Sequence, residues 1–196
     1  MNFEEFKTDA LRTESKPETL NFSREGLHLL LDAGITMANI MDTAKKTMFY
    51  GKPFNKEYFV KEIQDMFLLL DEIHDKTTAK NKEIENPEKN LRNYWQPNLR
   101  IAHGAIGMFT EAGELLEAVK LQMQSGEIDM VNVAEEVGDS DWYKAIIHDE
   151  TGISEELSRG KVIAKLKARY GEKFSSERAL TRDLATERKV LEGESA

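Results

Sequence analysis

Three observations predict an all-α protein. Apolar residues recur at three- and four-residue steps, no segment alternates apolar with polar, and only four prolines, at 17, 53, 87 and 97, punctuate 196 residues. Apolar residues make up 40% and charged residues 32%, a balance that supports a packed core and excludes a disordered chain. With 36 Asp plus Glu against 27 Lys plus Arg the formal charge is -9, so no general field attracts a nucleic-acid polymer. The absence of cysteine excludes disulfides and thiolate metal sites and fits a reducing compartment. No apolar run exceeds a few residues, and Met1-Asn-Phe-Glu-Glu5 is acidic where a signal peptide is basic. The expectation is a cytoplasmic protein with no membrane partner.

Residues 1–24 read as an N-terminal segment. Leu27, Leu30, Leu31, Met37, Ile40, Met41 and Ala44 then follow one helical face, and Tyr50-Gly-Lys-Pro53 supplies the stop chemistry. A second helix covers Lys56 to Asp75, with Phe59, Ile63, Met66 and Leu70 facing inward, so 25–80 forms a hairpin. The polar stretch 81–97, with Pro87 and Trp95, is a connector. A third helix runs from Asn98 to Gln124 and stops at Ser125-Gly126; a fourth runs from Met130 to His148, giving a second hairpin over 98–150. Residues 151–196 form a basic helical tail. From Lys161 onward the balance is +3, against -12 for residues 1–160.

The two hairpins repeat one another. His28 lies 75 residues before His103, and His74 lies 74 before His148. Asp42, Lys45 and Gly51 match Glu117, Lys120 and Gly126 at 75, while Glu62 and Asp65 match Glu136 and Asp139 at 74. The lost residue falls between the helices, where deletion costs least. Two such hairpins predict a four-helix-bundle-like core within one domain, plus the tail.

Chemistry concentrates in the second hairpin. Glu111 and Glu114 share one helical face, as do Glu136 and Asp139. Antiparallel packing would gather four carboxylates, and such a set needs a cation or a proton. Hard oxygen donors without cysteine or suitably spaced histidine select Mg²⁺, with Mn²⁺ as an alternative. Gly107, Gly113 and Gly138 lie inside predicted helices, where glycine costs ~1 kcal/mol relative to alanine, and they fit close approach of a helix or a ligand.

Thr110-Glu-Ala-Gly-Glu-Leu-Leu-Glu-Ala-Val-Lys120, then Asn132-Val-Ala-Glu-Glu-Val-Gly-Asp139 and Trp142-Tyr143, resembles the MazG-like all-α nucleoside triphosphate pyrophosphohydrolases. That superfamily is marked by Glu-x-x-Glu, a spacer and Glu-x-x-Asp; here 21 residues separate Glu114 from Glu136. Lys165-Leu-Lys-Ala-Arg-Tyr-Gly-Glu-Lys-Phe174 resembles the segment after the bundle in phage-type members. The resemblance implies Mg²⁺-dependent conversion of a (d)NTP to the monophosphate and pyrophosphate. It implies Glu111, Glu114, Glu136 and Asp139 as metal ligands, and Glu135 or Glu111 as the base. Lys165, Arg169, Tyr170, Asn132 and His103 become expected substrate contacts. Relatives pair hairpins between subunits, so a homodimer or higher homo-oligomer is expected.

The first hairpin departs from the pattern, with Thr36 and Asn39 where the second has Glu111 and Glu114. It is expected to build the fold and not to repeat the metal site. Asp141 stands where family members carry an apolar residue. His103 is read as either a structural histidine or a base contact. Tyr94 and Trp95 could stack on a base or anchor the connector. Two other functions fit the same residues: a non-catalytic helical module whose acidic face binds a protein, and pyrophosphohydrolysis of a phosphoribosyl compound.

Overall fold

The computed structural model describes residues 2–15, 24–78 and 97–193. The connector residues 81–96, with Tyr94 and Trp95, lie outside them. The fold is all-α, with no strand among the described residues. The chain divides into two compact units, Met1–Lys16 with Trp95–Val162, and Pro17–Tyr94 with Ile163–Ala196. Each hairpin belongs to a different unit, whereas the sequence reading grouped both in one domain. Joining them into a four-helix bundle is the expectation that the repeat supplies.

The repeat itself is visible in the helix bounds. In the second unit α2 spans Arg24–Tyr50, and in the first α4 spans Leu99–Ser125, each 27 residues long and displaced by 75. Their partners α3 (Lys56–Thr78) and α5 (Met130–Thr151) begin 74 residues apart. The turns use the same chemistry twice. Gly51 and Gly126 take positive φ of 68° and 81°, which a side chain would resist. Asn55 then accepts the Tyr58 amide at 3.0 Å, and Asp129 accepts the Val131 amide at 2.9 Å, so each second helix is capped from the same repeat position.

In the first unit α4 and α5 approach closely because two glycines allow it. A Cβ on Gly107 would sit 2.1 Å from the Tyr143 ring, and one on Gly104 would sit 2.6 Å from Ile147 Cγ1. Gly113 and Gly138, by contrast, meet nothing within 4 Å, so only Gly107 of the three predicted glycines serves helix packing. Gly104 joins it unannounced. The N-terminal segment also holds more structure than its sequence declared. Helix α1 (Phe3–Ala10) starts with a reciprocal cap between Asn2 and Glu5 and continues into a short 3-10 turn over Leu11–Thr13.

This segment is strapped onto α5. The Trp142 indole N–H donates to the Ala10 carbonyl at 3.1 Å and to Thr13 Oγ1 at 3.0 Å. Arg100 grips the buried Glu14 carboxylate through two parallel bonds of 2.7 and 2.8 Å. The same guanidinium reaches Asp149 at 2.8 Å and Glu150 at 3.0 Å. Such a fork satisfies a buried carboxylate as a lone lysine could not.

In the second unit the tail folds as the C-terminal part of α6 (Glu155–Tyr170), then α7 (Ser176–Leu180) and α8 (Leu184–Glu192). Phe174 lies against both Tyr50 and Tyr170, at ring-centroid distances of 6.0 and 5.3 Å. Glu187 is buried and receives both Arg169 and Arg182. The two guanidinium groups hold its carboxyl down at about 2.

Candidate metal centre

The face predicted from the three-residue spacing exists. Glu111 and Glu114 of α4 and Glu136 of α5 bring one oxygen each within 4.8 Å of one another. Glu111 and Glu136 are buried, at 7% and 3% exposure, and Glu114 opens to solvent. Among the described residues this is the only such metal-capable group, and it contains no histidine.

The electrostatics follow from the crowding. The Glu136 carboxyl is pushed up to about 7, first by its hydrogen bond to Glu111, then by burial and by the charges of Glu114 and Glu111. Without a cation the cluster therefore keeps a proton near neutrality, shared across a carboxyl–carboxylate bond. A divalent cation is the other way to relieve the same repulsion. Hard oxygen donors on two rigid helices suit Mg²⁺ or Mn²⁺, so the residues present fit the implied metal.

Asn132 gives the cluster its orientation. Its Nδ2 donates to Glu136 Oε1 at 2.7 Å from one turn earlier on α5. The resemblance assigned Asn132 to substrate; in the structure its amide is engaged with a carboxylate of the cluster. On α4, Thr110 Oγ1 lies 2.7 Å from the Gly107 carbonyl and 3.3 Å from Glu111 Oε1.

Two expected members stand outside the group. Asp139 and Glu135 are exposed and contribute no oxygen to the 4.8 Å set. Asp139 is still close enough for its charge to act on Tyr143. Burial, with the charges of Glu111, Asp139 and Glu114, pushes the Tyr143 hydroxyl up. Tyr143 is thus a member of the site that motif reading passed over. Its spacing was the available signal, since Glu136, Asp139 and Tyr143 follow one helical face.

Of the remaining expected contacts, His103, Arg169 and Tyr170 have other partners. His103 packs edge-on against Trp142 and Tyr143, at ring-centroid distances of 5.8 and 5.6 Å, which agrees with its structural reading. Lys165, Arg169 and Tyr170 belong to the other unit. There Arg169 donates to Glu187 from Nε at 2.7 Å and from Nη2 at 2.5 Å, and its guanidinium lies 5.4 Å from the Tyr170 ring. A phosphate could claim Arg169 only by opening this pair, and breaking a buried pair costs about 3–5 kcal/mol. Asp141 binds Lys144 at 2.8 Å on the surface of α5. His148 Nδ1 lies 2.6 Å from the Ile153 carbonyl, so the Nδ1–H tautomer closes the end of α5.

A cleft of ≈ 640 Å³ adjoins the cluster, bounded by Glu114, Glu117, Glu127, Asp129 and Asn132. Its volume suits a small molecule, but its lining repels anions until cations neutralise it. Comparison with protein-family models, with curated proteins and with solved structures finds no match to this chain.

Proposed function

We propose that this chain is a divalent-cation-dependent nucleoside triphosphate pyrophosphohydrolase that converts a (d)NTP to the (d)NMP and pyrophosphate. The observation that carries the reading is the Glu111–Glu114–Glu136 cluster, buried at Glu111 and Glu136 and open at Glu114, with Glu136 pushed up to about 7. The sequence resemblance supplies the reaction class, and the acidic cleft beside Glu114 supports a substrate that arrives with its own metal. Glu111, Glu114 and Glu136 would hold the cation, with Asp139 as the fourth ligand. Mg²⁺, when bound, neutralises phosphate oxygens and makes water a better nucleophile.

The chain's own side chains have separate tasks in this proposal. Asn132 fixes the rotamer of Glu136, and Tyr143 packs against Gly107 of α4 beside the cluster. Glu111 or Glu135 accepts the proton of the attacking water as the α–β phosphoanhydride breaks, so that one water is consumed per triphosphate. Phe109, Leu116, Val119 and Met123 form an exposed apolar stripe on α4, which supports the expected homo-oligomer. No helix among the described residues is long and apolar enough to cross a membrane.

The test is incubation with Mg²⁺ and a panel of canonical and modified triphosphates, followed by product identification. Monophosphate and pyrophosphate in equal amounts support the proposal, and Glu114→Gln should remove activity by orders of magnitude while leaving helix content unchanged. Release of inorganic phosphate alone, or no turnover of any triphosphate, would refute it.

A further inference from the structure

The first hairpin carries a cleft at the same place as the acidic one. It measures ≈ 230 Å³ and lies between the C-terminal half of α2 and the start of α3. The correspondence holds residue by residue. Asn39, Asp42, Asn55 and Tyr58 line it where Glu114, Glu117, Asp129 and Asn132 line the other. Even the supporting neighbours correspond. Tyr58 sits beside the buried Glu62, the repeat counterpart of Glu136, as Asn132 sits beside Glu136; burial and then Glu62 push the Tyr58 hydroxyl up. Asn39 Nδ2 donates to Glu62 at 3.1 Å, so the position of Glu114 has become a neutral donor that satisfies the remaining acid.

What has changed is the sign of the lining. The residue after the turn glycine is Glu127 in one cleft and Lys52 in the other, and Leu121 is replaced by Lys46. Four acidic side chains line the second hairpin's cleft; one acidic and two basic side chains line this one. The one carboxylate that lines this cleft, Asp42, is already taken. Asp42 bridges Lys45 and Lys46, whose bonds hold its carboxyl below the usual range. One carboxylate cannot neutralise two ammonium groups, and Lys52 has no side-chain partner among the described residues. Asn55 accepts the Tyr58 amide through Oδ1, which leaves its amide N–H₂ available.

We infer that this cleft is a second ligand site, which binds a small phosphate-bearing anion without a metal ion. Lys46 and Lys52 are its point charges, and Thr47 and Asn55 offer neutral donors from its walls. Duplication has thus left one position in the hairpin fold with two opposite charges. A multiply charged tetrahedral anion matches two ammonium groups flanked by hydroxyl and amide donors better than a carboxylate does. This inference does not depend on the reaction proposed for the other hairpin.

The probe is inorganic pyrophosphate, titrated calorimetrically into the full chain in EDTA, so that the carboxylate cluster takes no metal. A single saturable binding event is expected, weakening as salt rises. Lys52→Glu should weaken it by about tenfold or more, because an exposed contact charge is reversed. Lys46→Ala combined with Lys52→Ala should abolish it, while Glu114→Gln should leave it unchanged. Lys52 is exposed and unpaired, so Lys52→Glu keeps the fold intact, which circular dichroism verifies. Absence of saturable binding in the unmodified chain overturns the inference. So does undiminished binding in the double variant, or a change of affinity in Glu114→Gln.

Discussion

Glu136 is the residue on which the site's behaviour turns. Its carboxyl titrates near 4.5 when unfolded and is pushed up to about 7 in the fold. The metal-free native state therefore keeps a proton that the unfolded chain has lost. This contribution to stability is full below about pH 4.5 and is lost as pH rises through about 7. Thermal unfolding of the metal-free protein should show that loss, and Glu136→Gln should flatten it. Mg²⁺ should then raise the unfolding temperature far more at about pH 8 than at about pH 5, since binding must displace the proton. Equal stabilisation at both values would contradict the shared-proton description. The glycines give a second residue-scale test. Gly107→Ala drives a methyl into the Tyr143 ring and should destabilise by about 1–3 kcal/mol despite better helix propensity. Gly113→Ala meets open space and should stabilise by up to about 1 kcal/mol. Chemical denaturation of both variants measures the two effects.

At the scale of elements, the three-residue spacing was enough to bring Glu111, Glu114 and Glu136 together across α4 and α5, but not to bring Asp139 in with them. Helix stops were equally legible, since Gly51 and Gly126 carry their turn chemistry on their face, whereas the Asn55 and Asp129 caps emerge only in the structure. Interactions between distant segments could not be counted. Arg169 looked available for phosphate because its partner, Glu187, lies 18 residues further on in a helix of its own. Asn132 looked like a substrate contact because nothing in its neighbours declares a bond to Glu136. Helix α1 escaped notice for a different reason. At 8 residues it is too short to show a periodicity and is stable only through tertiary contact. Its main clamp is Arg100 on Glu14. Arg100→Ala would leave a buried carboxylate uncompensated, at a cost of about 3–5 kcal/mol. Limited proteolysis should then cut within residues 2–15 well before it cuts the α4–α5 hairpin.

For the whole molecule, the uneven charge acquires a structural meaning. A chain of -9 concentrates carboxylates at one hairpin turn and lysines at the equivalent turn of the other. One hairpin, used twice, thereby carries an acidic cleft and a cleft lined by two lysines. Hydrogen exchange resolves the two directly. Mg²⁺ should protect amides of α4 and α5 around Glu111–Glu114 and Asn132–Glu136, and leave α2 and α3 unchanged. Protection spread evenly over both hairpins would contradict a metal centre confined to the second. The central claim concerns chemistry, and one product analysis tests it most directly. With Mg²⁺ and the preferred triphosphate, the chain should yield monophosphate and pyrophosphate in a one-to-one ratio, and Glu136→Gln should yield neither. Diphosphate with inorganic phosphate, or undiminished turnover in the Glu136→Gln variant, would contradict the account.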